Sequence, residues 1–155
     1  MSITIVKEYL KNFNRENEII ELEQSTATVQ LAAQALGVEP ERIAKTLSFK
    51  SKNGAIVIVV AGDAKVDNKK FKTTYGLKAK MLTPDEVIEY TNHEIGGVCP
   101  FGITREDVKI YLDDSLKRFE TVFPACGSAN SAIKLTCKEL ETLCKYETWV
   151  DVCNY

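Results

Sequence analysis

A chain of 155 residues, 45% hydrophobic and 27% charged, can bury one domain core and is too short for two ordinary ones. Its formal net charge of −2 gives no overall attraction to nucleic acid, so DNA is not an expected partner. No apolar run approaches the roughly 18 residues of a membrane span, and the start Met1-Ser-Ile-Thr-Ile-Val lacks a secretion signal's basic region and apolar core, so a cytoplasmic protein without membrane contact is expected.

The first predicted element is an amphipathic helix over residues 2–13, with Ile5, Tyr9, Leu10 and Phe13 on its inner side. A strand follows over 18–22. Ser25 or Thr26 can cap a helix that runs to Leu36 and stops at Gly37, with Val29, Ala32, Ala33 and Leu36 inward. Two strong strands come next. The first lies within 42–50, and the second, Ala55 to Ala61, is apolar at every position, which predicts a central strand covered on both faces. Asn53-Gly54 between them signals a hairpin and an antiparallel pair.

Asp67 to Tyr75 reads as a short helix ended by Gly76, followed by a strand near 80–82 and a helix opened by Thr83-Pro84-Asp85-Glu86. A glycine-rich loop, Gly96-Gly-Val-Cys-Pro-Phe-Gly102, leads into a strand over 108–112. Asp113-Asp114-Ser115 caps a short turn, 120–125 reads as a strand, and Gly127-Ser128-Ala129-Asn130 as a small-residue turn. A strand over 132–135, a helix over 137–144 and a terminal strand over 148–152 complete a single mixed α/β (α+β) domain spanning 1–155. Its sheet is expected to be largely antiparallel or mixed.

Lys45 is the most informative residue. It shares strand parity with Ile43, Leu47 and Phe49, so its amine projects from an apolar face, where desolvation of a cation costs several kcal/mol unless something compensates. A charge in such a place is often functional. The loop 96–102 can offer backbone N–H groups to an oxyanion, carboxylate or phosphate, although an ordinary tight turn has the same composition. Six lysines, Lys65, Lys69, Lys70, Lys72, Lys78 and Lys80, crowd one stretch relieved only by Asp63 and Asp67. That stretch is either a solvated face or a contact for an RNA backbone.

Several chemistries are missing. The five cysteines form an odd set without a C-x-x-C pair, which argues for reduced thiols rather than a disulfide framework or a cysteine-rich zinc site. Cys137 and Cys144 read as small buried hydrophobes. Cys99 lies inside the glycine loop with no histidine close in sequence to activate it. His93 is the sole histidine and reads as a surface or hydrogen-bond-satisfied residue, so no metal site is expected. Nucleophile-elbow, P-loop and dinucleotide-binding signatures are all absent, and no cofactor is expected. What remains, a lysine with glycine-loop amides, Asp113, and Ser128 or Asn130 nearby, suits an already reactive ester such as that of an aminoacyl-tRNA.

The stretch Ala32-Ala-Gln-Ala-Leu-Gly-Val38, then Ile43-Ala-Lys-Thr-Leu47, Gly62-Asp63, the 96–102 loop, Tyr111-Leu-Asp-Asp-Ser-Leu116 and Gly127-Ser128 resembles the YbaK/ProX family of aminoacyl-tRNA deacylases. The resemblance runs in order through nearly the whole chain. It implies a mixed, partly barrel-like sheet flanked by helices, and trans editing of mischarged tRNA, with Cys-tRNA(Pro) as first substrate and Ala-tRNA(Pro) as second. It assigns Lys45, Gly96, Gly97 and Asp113 to the catalytic set, and Thr46, Cys99, Pro100, Phe101, Gly102, Gly127 and Ser128 to substrate binding. Lys65, Lys69, Lys70 and Lys72 become the tRNA-backbone contacts. Cys99 is a departure, standing where relatives are expected to carry serine. The implied partner is the aminoacylated 3′ end of tRNA, and prolyl-tRNA synthetase is a further partner the resemblance allows. A non-catalytic tRNA-end or nucleotide-binding module, and a synthetase-associated accessory protein, are the competing readings.

Overall fold

The architecture, taken from a computed structural model that describes residues 2–155, is a mixed five-stranded sheet with helices on its faces and two short ribbons at its margins. Its core strand is β3 (Ala55–Ala61), every residue of which is buried. Each Val or Ile so enclosed stabilises by about 1.5–3 kcal/mol, and an unbroken apolar run is what a strand covered on both faces requires. β2 (Ile43–Lys50) pairs antiparallel with β3 from Ala44↔Ala61 to Lys50↔Ala55, across the predicted hairpin. Gly54 in that turn is sterically required, because a Cβ there would lie 2.0 Å from the Asp107 carbonyl oxygen.

On the other side of β3 runs β5 (Val108–Asp113), parallel, and β8 (Tyr146–Val150) lies parallel to β5. β6 (Phe123–Pro124) is parallel to the start of β2, which gives the order β6-β2-β3-β5-β8. The sheet is therefore mixed, with parallel pairings outnumbering the antiparallel hairpin, since helical segments intervene between β3 and β5 and between β5 and β8. β1 (Ile20–Glu21) pairs with β7 (Ser131–Ala132), and β4 (Lys65–Val66) with β9 (Cys153–Asn154).

The helices form where their caps allow. α1 (Ser2–Lys11) buries Val6 and Leu10, while Ile5, expected inward, is 37% exposed. α2 (Val29–Leu36) starts later than expected: Thr28, not Ser25 or Thr26, accepts the Leu31 N–H, and Gly37 closes the helix at φ 69°. α3 (Asn68–Tyr75) is capped by Asp67 and ended by Gly76 as predicted, and α4 (Pro84–Thr91) opens on a Thr83/Glu86 capping box. α5 (Cys137–Leu143) has a matching Thr136/Glu139 box. The expected strand at 80–82 is shorter than a full strand, yet it still pairs with β2. The Lys50 N–H donates to the Lys80 carbonyl at 2.7 Å and the Leu82 N–H to the Ser48 carbonyl at 3.0 Å.

Candidate functional site

The outer edge of β2 is covered at both ends and open in the middle. β6 pairs with Ile43 and Ala44, and the 80–82 segment bonds at Ser48 and Lys50, which leaves Lys45-Thr46-Leu47 between them. A cavity of about 310 Å³ opens at that gap. Lys45, Thr46, Leu47 and Ser48 form its floor; Met81, Leu82 and Val87 form one wall, and Thr26, Val29 and Ala32 another. Ile95, Gly96 and Val98 of the glycine loop, with Phe123, Ala125 and Ser131, complete it. The cavity follows the seam between two apolar clusters: the main core, which holds Ala44, Leu82 and Val87, and a small one of Ala32, Ala33, Ile43 and Phe123 beneath α2. An edge strand with free backbone groups beside an enclosed apolar space is a ready binding surface.

Lys45 sits on the same face of β2 as Leu47 and Phe49, opposite Val60 in the register, as parity predicts. Its half-buried amine donates to the Gly62 carbonyl at 3.2 Å. Desolvation lowers its pKa below the ordinary lysine value, a shift that the nearby Cys153 and Asp63 oppose. The turn that receives it is held firmly. Arg118 grips the Asp63 carboxylate with two nitrogens, one at 3.0 Å, and a Cβ on Gly62 would lie 2.0 Å from the Pro40 carbonyl oxygen. The site thus offers a partly desolvated cation and backbone polar groups; no Asp, Glu or His lines the cavity among the described residues.

Of the residues expected at the site, Lys45, Thr46 and Gly96 line the cavity. Gly97, Cys99, Pro100, Phe101, Gly102, Asp113, Gly127 and Ser128 do not. Gly97 is where the glycine loop docks on the second turn: its carbonyl accepts the Gly127 N–H at 3.0 Å, and a Cβ on it would lie 2.6 Å from the Ser128 nitrogen. Within that turn the Ser128 hydroxyl donates to the Asn130 side-chain oxygen and is hydrogen-bonded to the Ser131 hydroxyl. Cys99, Pro100, Phe101 and Gly102 are buried, and Phe101 reaches the core beside Tyr9 of α1. Asp113 is fully buried, accepting the Ser115 and Val152 N–H groups at 2.9 Å each.

One spatial neighbour was invisible in the sequence: His93 lies against Cys99, with Nε2 and Sγ 3.5 Å apart. The pair is not an activated nucleophile. Burial pushes the Cys99 thiol up to about 12, and the imidazole is pulled below its ordinary value by the same desolvation. The Nε2–H donates to the Phe101 carbonyl at 2.7 Å, and Nδ1 accepts from the Ser2 hydroxyl, so His93 is a fully buried, satisfied residue.

The lysine run spreads over β4, α3 and the segment beyond. Lys65, Lys69, Lys72, Lys78 and Lys80 are exposed and make no ion pair among the described residues. Lys70 differs, held by Asp151 at 3.0 Å and by the Cys153 carbonyl at 2.8 Å. The run reaches the cavity rim, since Lys80 precedes Met81. Thr26, Ser48, Met81, Ile95 and Ser131 line the cavity without a local sequence signal, because only the tertiary approach of five separate segments brings them there.

Residues 23–143 match the aminoacyl-tRNA editing domain. The chain is 55% identical over 155 residues to the uncharacterized protein YwhH of Bacillus subtilis (strain 168), a match covering 99% of this chain and 98% of that protein. It is 30% identical over 139 residues to a proline–tRNA ligase of Thermosipho melanesiensis, covering 89% of this chain and 24% of the ligase, so it corresponds to about a quarter of that protein. The crystal structure of a candidate trans-editing enzyme for prolyl tRNA synthetase superimposes with a TM-score of 0.88 at 32% identity, covering 99% of this chain and 98% of the other. With the family match extending over most of its length and the same fold at both scales of comparison, the chain belongs to the aminoacyl-tRNA editing domain family, of the YbaK-like deacylase type.

Proposed function

We propose that this protein hydrolyses the ester of mischarged tRNA in trans, with Cys-tRNA(Pro) as its first substrate and Ala-tRNA(Pro) as its second. The observation that carries this reading is Lys45, a residue lining the cavity at the β2 edge whose amine is half-buried. In this reading the terminal aminoacyl-adenosine enters the cavity, and Lys45 anchors a phosphate or other polar group of the nucleotide. Backbone N–H groups of the glycine loop at Gly96 receive the ester carbonyl and the oxyanion it becomes. Water adds to the carbonyl carbon, the bond from that carbon to the ribose oxygen breaks, and the ribose oxygen takes up a proton. Free amino acid and tRNA leave.

Among the described residues the cavity wall supplies no carboxylate or imidazole to act as a base. Positioning and oxyanion stabilisation therefore carry the barrier reduction, helped by the substrate's own 2′-hydroxyl or side chain, which is adequate for an ester already reactive in water. The exposed lysines beside the rim supply contacts to the tRNA backbone, and prolyl-tRNA synthetase is the partner that would generate the mischarged substrate.

The test is deacylation of a panel of mischarged and correctly charged tRNAs, read as free amino acid. Lys45→Ala is expected to lower kcat/KM at least tenfold, about 1.4 kcal/mol of transition-state stabilisation. Turnover close to wild type in that variant would remove Lys45 from the mechanism. No turnover on any charged tRNA, with binding retained, would make the protein a tRNA-end binding module instead.

A further inference from the structure

Two residues lining the cavity carry hydroxyls with no hydrogen-bond partner among the described residues. Thr26 is only 7% exposed and its Oγ1 is buried without a protein hydrogen bond; the Oγ1 of Thr46 on β2 is in the same condition. Neither is occupied elsewhere. Thr28 caps α2, and the backbone of Thr26 is pinned by its own N–H to the Ala129 carbonyl. The hydroxyl of Ser131, on the same cavity wall, is by contrast already bonded to Ser128 at 2.7 Å.

A threonine hydroxyl has one donor and two acceptor sites, and a buried one without a partner is costly. Two such groups on residues lining one cavity mark a place where the ligand completes the hydrogen bonds. The chemistry of the surroundings narrows the ligand group. No carboxylate lines the cavity among the described residues to balance an ammonium, and Val29, Leu47, Val87 and Val98 give it apolar surface. The complementary group is neutral and both donates and accepts, which describes a hydroxyl and, more weakly, a thiol. Its place is close to the glycine loop, since a Cβ on Gly96 would lie 3.4 Å from that of Ala27, the residue after Thr26.

We infer that Thr26, together with Thr46, reads the side chain of the aminoacyl group and selects small side chains ending in a hydroxyl or thiol over apolar ones of the same size. The inference rests on the editing reading above, in which the ester carbonyl sits at Gly96 and the amino-acid side chain beside it. A site built to hydrogen-bond a substrate hydroxyl rejects the analogue without one, because its own buried polar groups are then left unpaired.

The experiment is calorimetric binding of 3′-seryl-amino-3′-deoxyadenosine and 3′-(2-aminobutyryl)-amino-3′-deoxyadenosine, in which an amide replaces the ester and a methyl replaces the side-chain hydroxyl in the second, to wild type, Thr26→Val and Thr26→Ser. Wild type is expected to prefer the seryl ligand at least tenfold. Thr26→Val loses that preference and Thr26→Ser keeps it. Thr26→Val also melts at or above the wild-type temperature, which a purely structural hydroxyl would not allow. Equal affinity for the two ligands in wild type overturns the assignment. So does an equal loss for both in Thr26→Val, which would give Thr26 to the ribose they share. A seryl preference without deacylation of any charged tRNA would overturn the hydrolase reading and leave this assignment standing.

Discussion

Asp113 and Lys45 are both charged groups drawn into the sheet, and their surroundings give them different work. Both carboxylate oxygens of Asp113 are already used, one on the Ser115 N–H and one on the Val152 N–H, so the residue ties the end of β5 to the chain after β8. The sequence reading of a cap at 113–115 describes the first of these bonds; the second joins residues 39 apart in the chain and has no local signature. Asp113→Asn turns one acceptor into an amide that faces an N–H group, and is expected to cost roughly 2–4 kcal/mol in urea unfolding. Deacylation per folded molecule should stay within about threefold of wild type, or about 0.65 kcal/mol. A loss of tenfold or more at unchanged stability would place Asp113 in the chemistry. Lys45 has one protein acceptor, Gly62, and cavity space beside it, so its remaining donors are available to a ligand.

At the level of elements, the glycine loop is half site and half core. Ile95, Gly96 and Val98 face the cavity, while residues 99–103 turn inward and meet α1, where a Cβ on Gly102 would lie 2.8 Å from the Ile5 side chain. His93 fastens the loop to the N-terminus of α1 through Phe101 on one nitrogen and Ser2 on the other. Burial holds its folded pKa below the ordinary 6.5. Below that pH the unfolded chain binds a proton that the folded chain does not. Stability is therefore full above about pH 6.5 and falls on acidification, by up to about 1.4 kcal/mol per pH unit, until the folded pKa is reached. Urea midpoints at pH 7 and 5.5 should show this drop in wild type and little of it in His93→Gln, whose amide can still donate to Phe101. An equal drop in both proteins would assign the acid sensitivity to other groups.

For the molecule as a whole, a net charge of −2 conceals an uneven surface, with the lysine run on one margin leading to the cavity rim. Lys65, Lys69 and Lys72 are exposed and unpaired among the described residues, so each can neutralise a phosphate; the Lys70 amine is already engaged by Asp151. Replacing Lys65, Lys69 and Lys72 together by Gln should lower the slope of log Kd against log salt for tRNA by about 2, with far less change for Lys70→Gln alone. An unchanged slope in the triple variant would mean that the run is only a solvated face.

Local pattern in the chain was enough to determine the buried central strand β3, the hairpin to β2, the caps of α3 and α4, and the placement of Lys45 on an apolar face. Each of these follows from periodicity, turn chemistry or capping within about ten residues. The start of α2 was misplaced because Ser25, Thr26 and Thr28 are all competent caps, and only the chain's approach to residues 129–130 assigns Thr28 to that role. Long-range packing alone decided the rest. The predominance of parallel pairing depends on how the crossovers close, and burial of residues 99–102 depends on α1 folding over them. The cavity exists because β6 and the 80–82 segment stop short of one another on the β2 edge. Thr26, Ser48, Met81 and Ser131 become neighbours of Lys45 only when segments distant in sequence meet at that gap, a juxtaposition that no local spacing of residue types encodes.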